Sequence, residues 1–303
     1  MRRQIIVLFC SLFLFALGPA VAAEQGATPN VTPNRGALFK VQQNGHTLYL
    51  FGTIHVGARD FYPLEPRLAG FLKKAPVLAL EIDPLADQQK LARAVQQYGM
   101  SVKGSSGLTP EWRSRLAKLL KQYNIAPEAV ASMKPWLLAS VLTVSEFAAQ
   151  GYDAALAVDA HLSQQAHEAG QKVVELESAD SQMSLFDKMT AAEQLVFLQE
   201  AIAGIEDKEQ ADQAREIAEA WRHADVKALD ALALKAEQDD TFSGRFVQKE
   251  LLDGRNPTLA DGMVKLMARE NNSVVAIGVL HLVGKGSVPE LLRKRGLSVE
   301  RMY

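Results

Sequence analysis

Strand-like patterning lies at the two ends of this chain, with a long stretch of helical periodicity between them. Apolar and polar positions alternate over residues 38–42 and 47–51, on either side of Gln43-Asn44-Gly45-His46. An Asn-Gly pair between two such runs predicts a tight hairpin. The second run continues directly into Gly52-Thr53-Ile54-His55. A short helix is expected over 64–74. Residues 77–82 then form an apolar run with no polar face, as in a strand covered on both sides, and the run carries one acid, Glu81. From 85 to 171 the period is helical. Thr109-Pro110-Glu111 reads as cap, first-turn proline and first-turn acid of a helix through 123. Helices are also expected over 136–150 and 154–168, the second stopped by Gly170. A short strand is predicted at 172–176 and more helix over 191–235, strongly charged after Glu206. The last segment returns to the opening pattern: helix 258–269, strand 274–277, Gly278-Val279-Leu280-His281, helix 289–294 and strand 298–302.

The pattern predicts an α/β fold with a mixed central sheet, strands near both ends of the chain and a large helical insert or cap over 85–270. Neither end could bury its strands alone, so one domain over 37–303 is expected. The first 22 residues belong to something else. Arg2 and Arg3 precede an apolar stretch from Ile5 to Leu17, which ends in the small residues Ala20-Val21-Ala22-Ala23. That order is a secretory signal peptide, too short for a comfortable membrane span. Residues 23–36 mix Gly, Thr, Asn and Pro without apolar periodicity and are expected to be a flexible lead-in. A periplasmic or secreted product follows, with no membrane span once the leader is removed.

Composition narrows the chemistry. The only cysteine of the 303 residues, Cys10, lies in the leader. An exported product therefore has no disulfide, no thiolate nucleophile and no cysteine-held zinc. Any metal must be held by His and carboxylate. Removing the two leader arginines takes the formal charge from −2 to about −4, and no basic stretch forms a nucleic-acid footprint. Nucleic acid is not an expected partner.

Six histidines are available. His161 and His167 are six apart on one helix and face different sides, while His46 in a turn and His223 in a charged helix are expected at the surface. His55 and His281 remain, each closing a β-rich run in Gly-x-x-His. If their strands run parallel, both imidazoles reach the rim where open α/β sheets bind ligands. Glu81 ends the buried run between them, where an unpartnered carboxylate would be costly. One explanation of Glu81 is an ion pair with a nearby arginine, and Arg255 in Gly254-Arg255-Asn256-Pro257 is the candidate. The other explanation is catalysis. Two His with a Glu can hold a metal that activates water. Alternatively, Glu and His can activate water without metal while Arg255 stabilises the developing oxyanion. A Gly-x-Ser-x-Gly elbow, a phosphate-binding P-loop and a dinucleotide fingerprint are all absent.

These residues resemble the TraB/GumN family, which includes the TIKI metalloproteases and the pheromone-shutdown proteins. The likeness rests on Gly52-Thr53-Ile54-His55, Leu80-Glu81-Ile82-Asp83 and Gly278-Val279-Leu280-His281-Leu282-Val283-Gly284. It extends to Gly151-Tyr152-Asp153 leading to His161-Leu162, Glu175-Leu176-Glu177-Ser178 with Gln182, and Arg255-Asn256, so it covers residues 37–302. The resemblance implies an α/β core similar to the erythromycin-esterase and ChaN-like haem-binding folds. It also implies metal-dependent peptide hydrolysis, with zinc, manganese or cobalt on His55 and His281. Glu81 and Arg255 would be catalytic, and Gly52, Gly278, Glu177 and Asn256 supporting. Three functions stand open: an exported metal-dependent peptidase acting on a peptide or protein, a metal-free ester or lactone hydrolase, and a binding protein carrying haem or metal without turnover.

Overall fold

The computed structural model describes residues 32–303. The expected leader and most of the stretch 23–36 lie outside the described residues. Within the described part of that stretch, Arg35 is buried; it donates to Arg222 O at 2.5 Å and to Asp60 O at 2.9 Å. Gly36 N donates to Trp221 O at 2.6 Å, so with Arg35 the chain is tied to the fold at the two residues before Ala37.

Six strands form one mixed sheet: β1 (Leu38–Gln43), β2 (His46–Thr53), β3 (Val77–Leu80), β4 (Lys172–Glu175), β5 (Ser273–Gly278) and β6 (Ser298–Arg301). Their order is β4-β3-β5-β2-β1-β6. The hairpin turns at Asn44 and Gly45 with φ of 51° and 80°, and Gln43 pairs with His46. A positive φ at both central residues is what a two-residue hairpin turn with the right twist demands. β1 is antiparallel to both β2 and β6, while β2, β5, β3 and β4 run parallel. The α/β expectation holds. β5 and β6, from the far end of the chain, pair with β2 and β1 from its start.

The parallel register determines where the site lies. Thr53 pairs with Gly278, and Leu80 pairs with both Ala276 and Glu175. The ladder continues past β3 and β4, with Glu177 N donating to Glu81 O at 2.9 Å. The carboxyl ends of four neighbouring strands therefore share one rim. β3 and β5 are buried along their whole length, consistent with their lack of a polar face.

Two apolar clusters fill the interior. One lines the sheet and includes Leu50, Phe51, Val275 and Trp221, whose indole Nε1 donates to Gly52 O at 2.8 Å. The other lies among the helices, around Trp136, Phe186, Phe197 and Phe246. They meet at the end of β3, where Leu80 belongs to the sheet cluster and Ile82 to the helical one. Glu81 sits on that seam.

Two expected helices are broken. The stretch 154–168 is a 3-10 turn, Ala154–Leu156, followed by the helix Val158–Glu168. The stretch 191–235 is three helices, Ala191–Glu206, Glu209–Arg222 and Val226–Glu237. The breaks fall at Lys208 and Ala224, with φ of 63° and 49°. Neither is glycine, so composition carries no stop signal there. Among the described residues no helix is long and apolar enough to cross a membrane.

Candidate functional site

His55 follows β2 by two residues, Glu81 directly follows β3, and His281 lies in the turn Val279–Leu282 after β5. The structure brings all three together around Gly278. A Cβ placed there would stand 3.3 Å from Glu81 Oε1, 3.3 Å from His55 Nε2 and 3.7 Å from His281. Gly278 is therefore a cradle that two imidazoles and one carboxylate border. The first motif's glycine answers in kind. A Cβ on Gly52 would meet Val279 Cγ2 at 2.9 Å and Val279 Cα at 3.1 Å. Each Gly-x-x-His glycine thus admits atoms of the other motif, a use of glycine for close approach rather than for unusual φ.

Glu81 is held from three directions. Oε1 accepts from Gly278 N at 2.7 Å, and Oε2 accepts from Arg255 Nη2 and from Gln182 Nε2, the latter at 3.2 Å. Arg255 lies at the entrance of the helix Asn256–Met267 and also grips Glu177, with Nε donating to Oε1 at 3.0 Å and Nη2 to Oε2 at 2.5 Å. Gln182 Nε2 reaches Glu177 Oε2 at 2.9 Å. Arg255, Glu81 and Glu177 form a buried triad on the seam. The ion pair weighed from the sequence is present, with a second carboxylate added. Arg255 is thus committed to two carboxylates, and what the structure displays is its grip on Glu81.

Both imidazoles are oriented by a side-chain oxygen on Nδ1. His281 is fully buried, and its Nδ1 donates to Asn256 Oδ1 at 2.5 Å, while Asn256 Nδ2 donates to Gly286 O at 2.9 Å. The His281 Nε2 lies 3.9 Å from Glu81 Oε1. His55 Nδ1 is 3.3 Å from Asp159 Oδ1, and at 20% side-chain exposure His55 is the ring that opens toward solvent. Asp159 was not anticipated. It lies in the first turn of the helix Val158–Glu168, and only the fold sets it beside His55. An acid in a first turn reads from sequence as a companion of the helix dipole, so nothing singled it out.

The two rings are pushed apart electrostatically. Burial lowers the His281 pKa and the Arg255 charge lowers it further, outweighing Glu81, to about 3. Burial also disfavours the His55 cation, but the Asp159 carboxylate 3.3 Å away, with Glu81 behind, raises it to about 9. Burial alone would raise the pKa of Glu81. Arg255, both imidazoles and the Gly278 N–H more than reverse this and hold it well below the carboxylate range. One ring is thus kept neutral, the other charged, and the acid ionised between them.

The remaining histidines stand apart from the cradle. The His161 ring packs on Tyr62 with centroids 4.1 Å apart, His167 pairs with Asp83, and the His223 side chain is 62% exposed. Among the described residues no three His, Cys, Asp or Glu side chains are gathered so as to hold a metal ion.

The sequence profile of the TraB/PrgY/gumN family matches residues 37–301, which spans the sheet, the helical region and the whole site. The chain belongs to the TraB/PrgY/gumN family. It is similar to the uncharacterised protein YbaP of Shigella flexneri, 27% identical over 260 residues, covering 82% of this chain and 89% of that one. It is likewise similar to YbaP of Escherichia coli K12, 26% identical over 255 residues, covering 81% and 87%. No solved structure matches. Within this TraB/PrgY/gumN chain, both Gly-x-x-His motifs and the strand-end glutamate face one another, as the resemblance implied.

Proposed function

We propose that this TraB/PrgY/gumN protein is an exported hydrolase of peptide bonds that uses a divalent metal held by His55 and His281. The observation that carries the reading is the shared orientation of the rings. Each has Nδ1 on a side-chain oxygen, which leaves Nε2 as the metal-facing atom, the arrangement seen where an oxygen partner orients a ligating imidazole. The Gly278 cradle lies between them. The residues fit a two-imidazole holder with zinc, manganese or cobalt as the candidate ions. They do not form a three-ligand cage, since among the described residues no three His, Cys, Asp or Glu side chains are gathered so as to hold an ion. When bound, such an ion would lower the pKa of coordinated water and polarise a carbonyl. The protein's own groups do the rest. Glu81, aimed by Arg255 and Gly278 N–H, stands beside the cradle to orient a water and accept its proton. A ligating imidazole must be neutral: His281 already is, and His55, held charged by Asp159, would give up its proton when the ion binds. Supporting the exported location is the order of charge, apolar stretch and small residues over 1–22.

Calorimetry with zinc, manganese and cobalt tests the metal. His55→Ala and His281→Ala should lose binding, while Glu81→Gln should keep the ion and lose hydrolysis of a fluorogenic peptide panel. Wild-type protein that binds none of the three ions overturns this reading. A second reading, metal-free hydrolysis of an ester or lactone, is favoured by the opposed states of the rings. A charged His55 beside a neutral His281 forms an acid–base pair. Turnover that survives a chelator selects it.

A further inference from the structure

Asp83 lies two residues beyond Glu81, buried, and belongs to none of the contacts described for the cradle. Its Oδ1 accepts from Ser163 Oγ at 2.5 Å and from Leu85 N at 3.1 Å, and its Oδ2 meets His167 Nε2 at 2.7 Å. Its own N–H donates to Glu175 Oε1 at 3.0 Å, which anchors it to the end of β4. Ser163 and His167 are four residues apart on the helix Val158–Glu168, and Asp159 is four residues before Ser163. Residues spaced by four share a helix face, so 159, 163 and 167 form one stripe. The first touches His55 and the other two are gripped by Asp83. Ser163 is fully buried, and the Asp83 carboxylate is what satisfies its hydroxyl there. The helix start is tied to the same place, since Val158 N donates to Ile54 O at 3.0 Å, one residue before His55.

We propose that Asp83 is a positioning residue for His55. By holding Ser163 and His167 it sets the rotation of the Val158–Glu168 helix about its axis, and that rotation aims Asp159 at His55 Nδ1. The loop that carries Glu81 thereby also fixes the partner of the imidazole across the cradle. A shift of either element moves both. The proposal rests on the hydrolase reading for what the aimed ring does, but not for how it is tested.

The test is long-range proton–nitrogen NMR of the full-length protein at one fixed pH. The His55 signals are assigned by their loss in His55→Gln. Asp159→Asn provides the reference displacement of the His55 Nδ1 signal. Ser163→Ala, His167→Gln and Asp83→Asn should each displace that signal in the same direction by a smaller amount, while the signals of His223, at the end of a different helix, stay in place. The His167 side chain is 44% exposed, so His167→Gln removes one contact without opening the core. Melting curves accompany each variant. Folded variants whose His55 signals match wild type overturn the proposal. Loss of the melting transition in both Ser163→Ala and His167→Gln also overturns it, by making Asp83 an anchor of the fold. A protein without hydrolytic activity would sink the hydrolase reading and leave this result untouched.

Discussion

The two motif glycines make different predictions from the same residue type. At Gly52 a methyl group would meet the Val279 backbone, which cannot move without displacing the turn that carries His281. Gly52→Ala should cost about 1–3 kcal/mol, the range for forcing atoms into a packed interior, read as a lowered urea midpoint. At Gly278 the neighbours are a carboxylate oxygen and a ring nitrogen 3.3 Å away, the ends of side chains. Gly278→Ala should leave the midpoint within about 1 kcal/mol of wild type, since volume changes of one methyl that neighbours can absorb are cheap. It should nevertheless abolish metal binding by filling the cradle. A Gly278→Ala protein that binds metal like wild type would contradict the assignment of the cradle. The triad offers a further test. Glu81→Gln or Glu177→Gln alone leaves Arg255 one carboxylate, so each should cost about 1–3 kcal/mol, the range for a hydrogen bond to a charged group. The double variant strands a buried guanidinium and should cost more than the two singles combined, in the direction of the ~3–5 kcal/mol seen when a buried pair loses one partner. Additive losses would show that Arg255 finds another partner.

At the scale of elements, the hairpin and the helices differ in how legible they were. Asn44-Gly45 announces its turn because both positions need a positive φ that few residues accept. Gly45→Val should cost roughly 1–2 kcal/mol, the penalty of a side chain in the left-handed region, with metal binding unchanged because the turn is at the opposite end of β2 from His55. Calorimetry beside a thermal melt reads both. The caps at Thr109 and Thr190, the second with a reciprocal capping box to Glu193, are local and readable. The breaks at Lys208 and Ala224 were not. There the chain adopts positive φ without glycine because helix-on-helix packing requires it, and packing partners are not encoded nearby.

For the whole molecule, the opposed ring states and the ionised acid predict a stability optimum in pH. His281 is neutral when folded but charged when unfolded between about pH 3 and 6.5, so the unfolded chain holds the extra proton and stability falls as pH drops through that window. Glu81 acts in the same direction: its contribution is complete above pH 4.5 and is lost as pH falls through its depressed folded value. His55 has the opposite sign. Its contribution is complete below pH 6.5 and disappears as pH rises toward 9. Melting temperature in chelator should therefore peak near pH 6.5 and decline on both sides. Asp159→Asn should flatten the alkaline side and spare the acid side. A melting temperature that climbs steadily to pH 9 would show that His55 is not held charged.

The strands at both ends, the hairpin, the buried run with one acid and the pair of Gly-x-x-His segments were all present in the sequence. Each depends on local alternation, on glycine and on chain position, which a linear text preserves. That His55, Glu81 and His281 would share a rim was readable once their strands were taken as parallel, because carboxyl ends of parallel strands must coincide. The sequence could also nominate Arg255 for Glu81, since a buried acid needs a cation. Asp159, the second carboxylate on Arg255 and the grip of Asp83 on Ser163 and His167 were decided by the tertiary structure alone. They join residues 78 to 104 positions apart through the rotation of helices against the sheet. That rotation is set by side-chain packing across two clusters, and no local pattern records it.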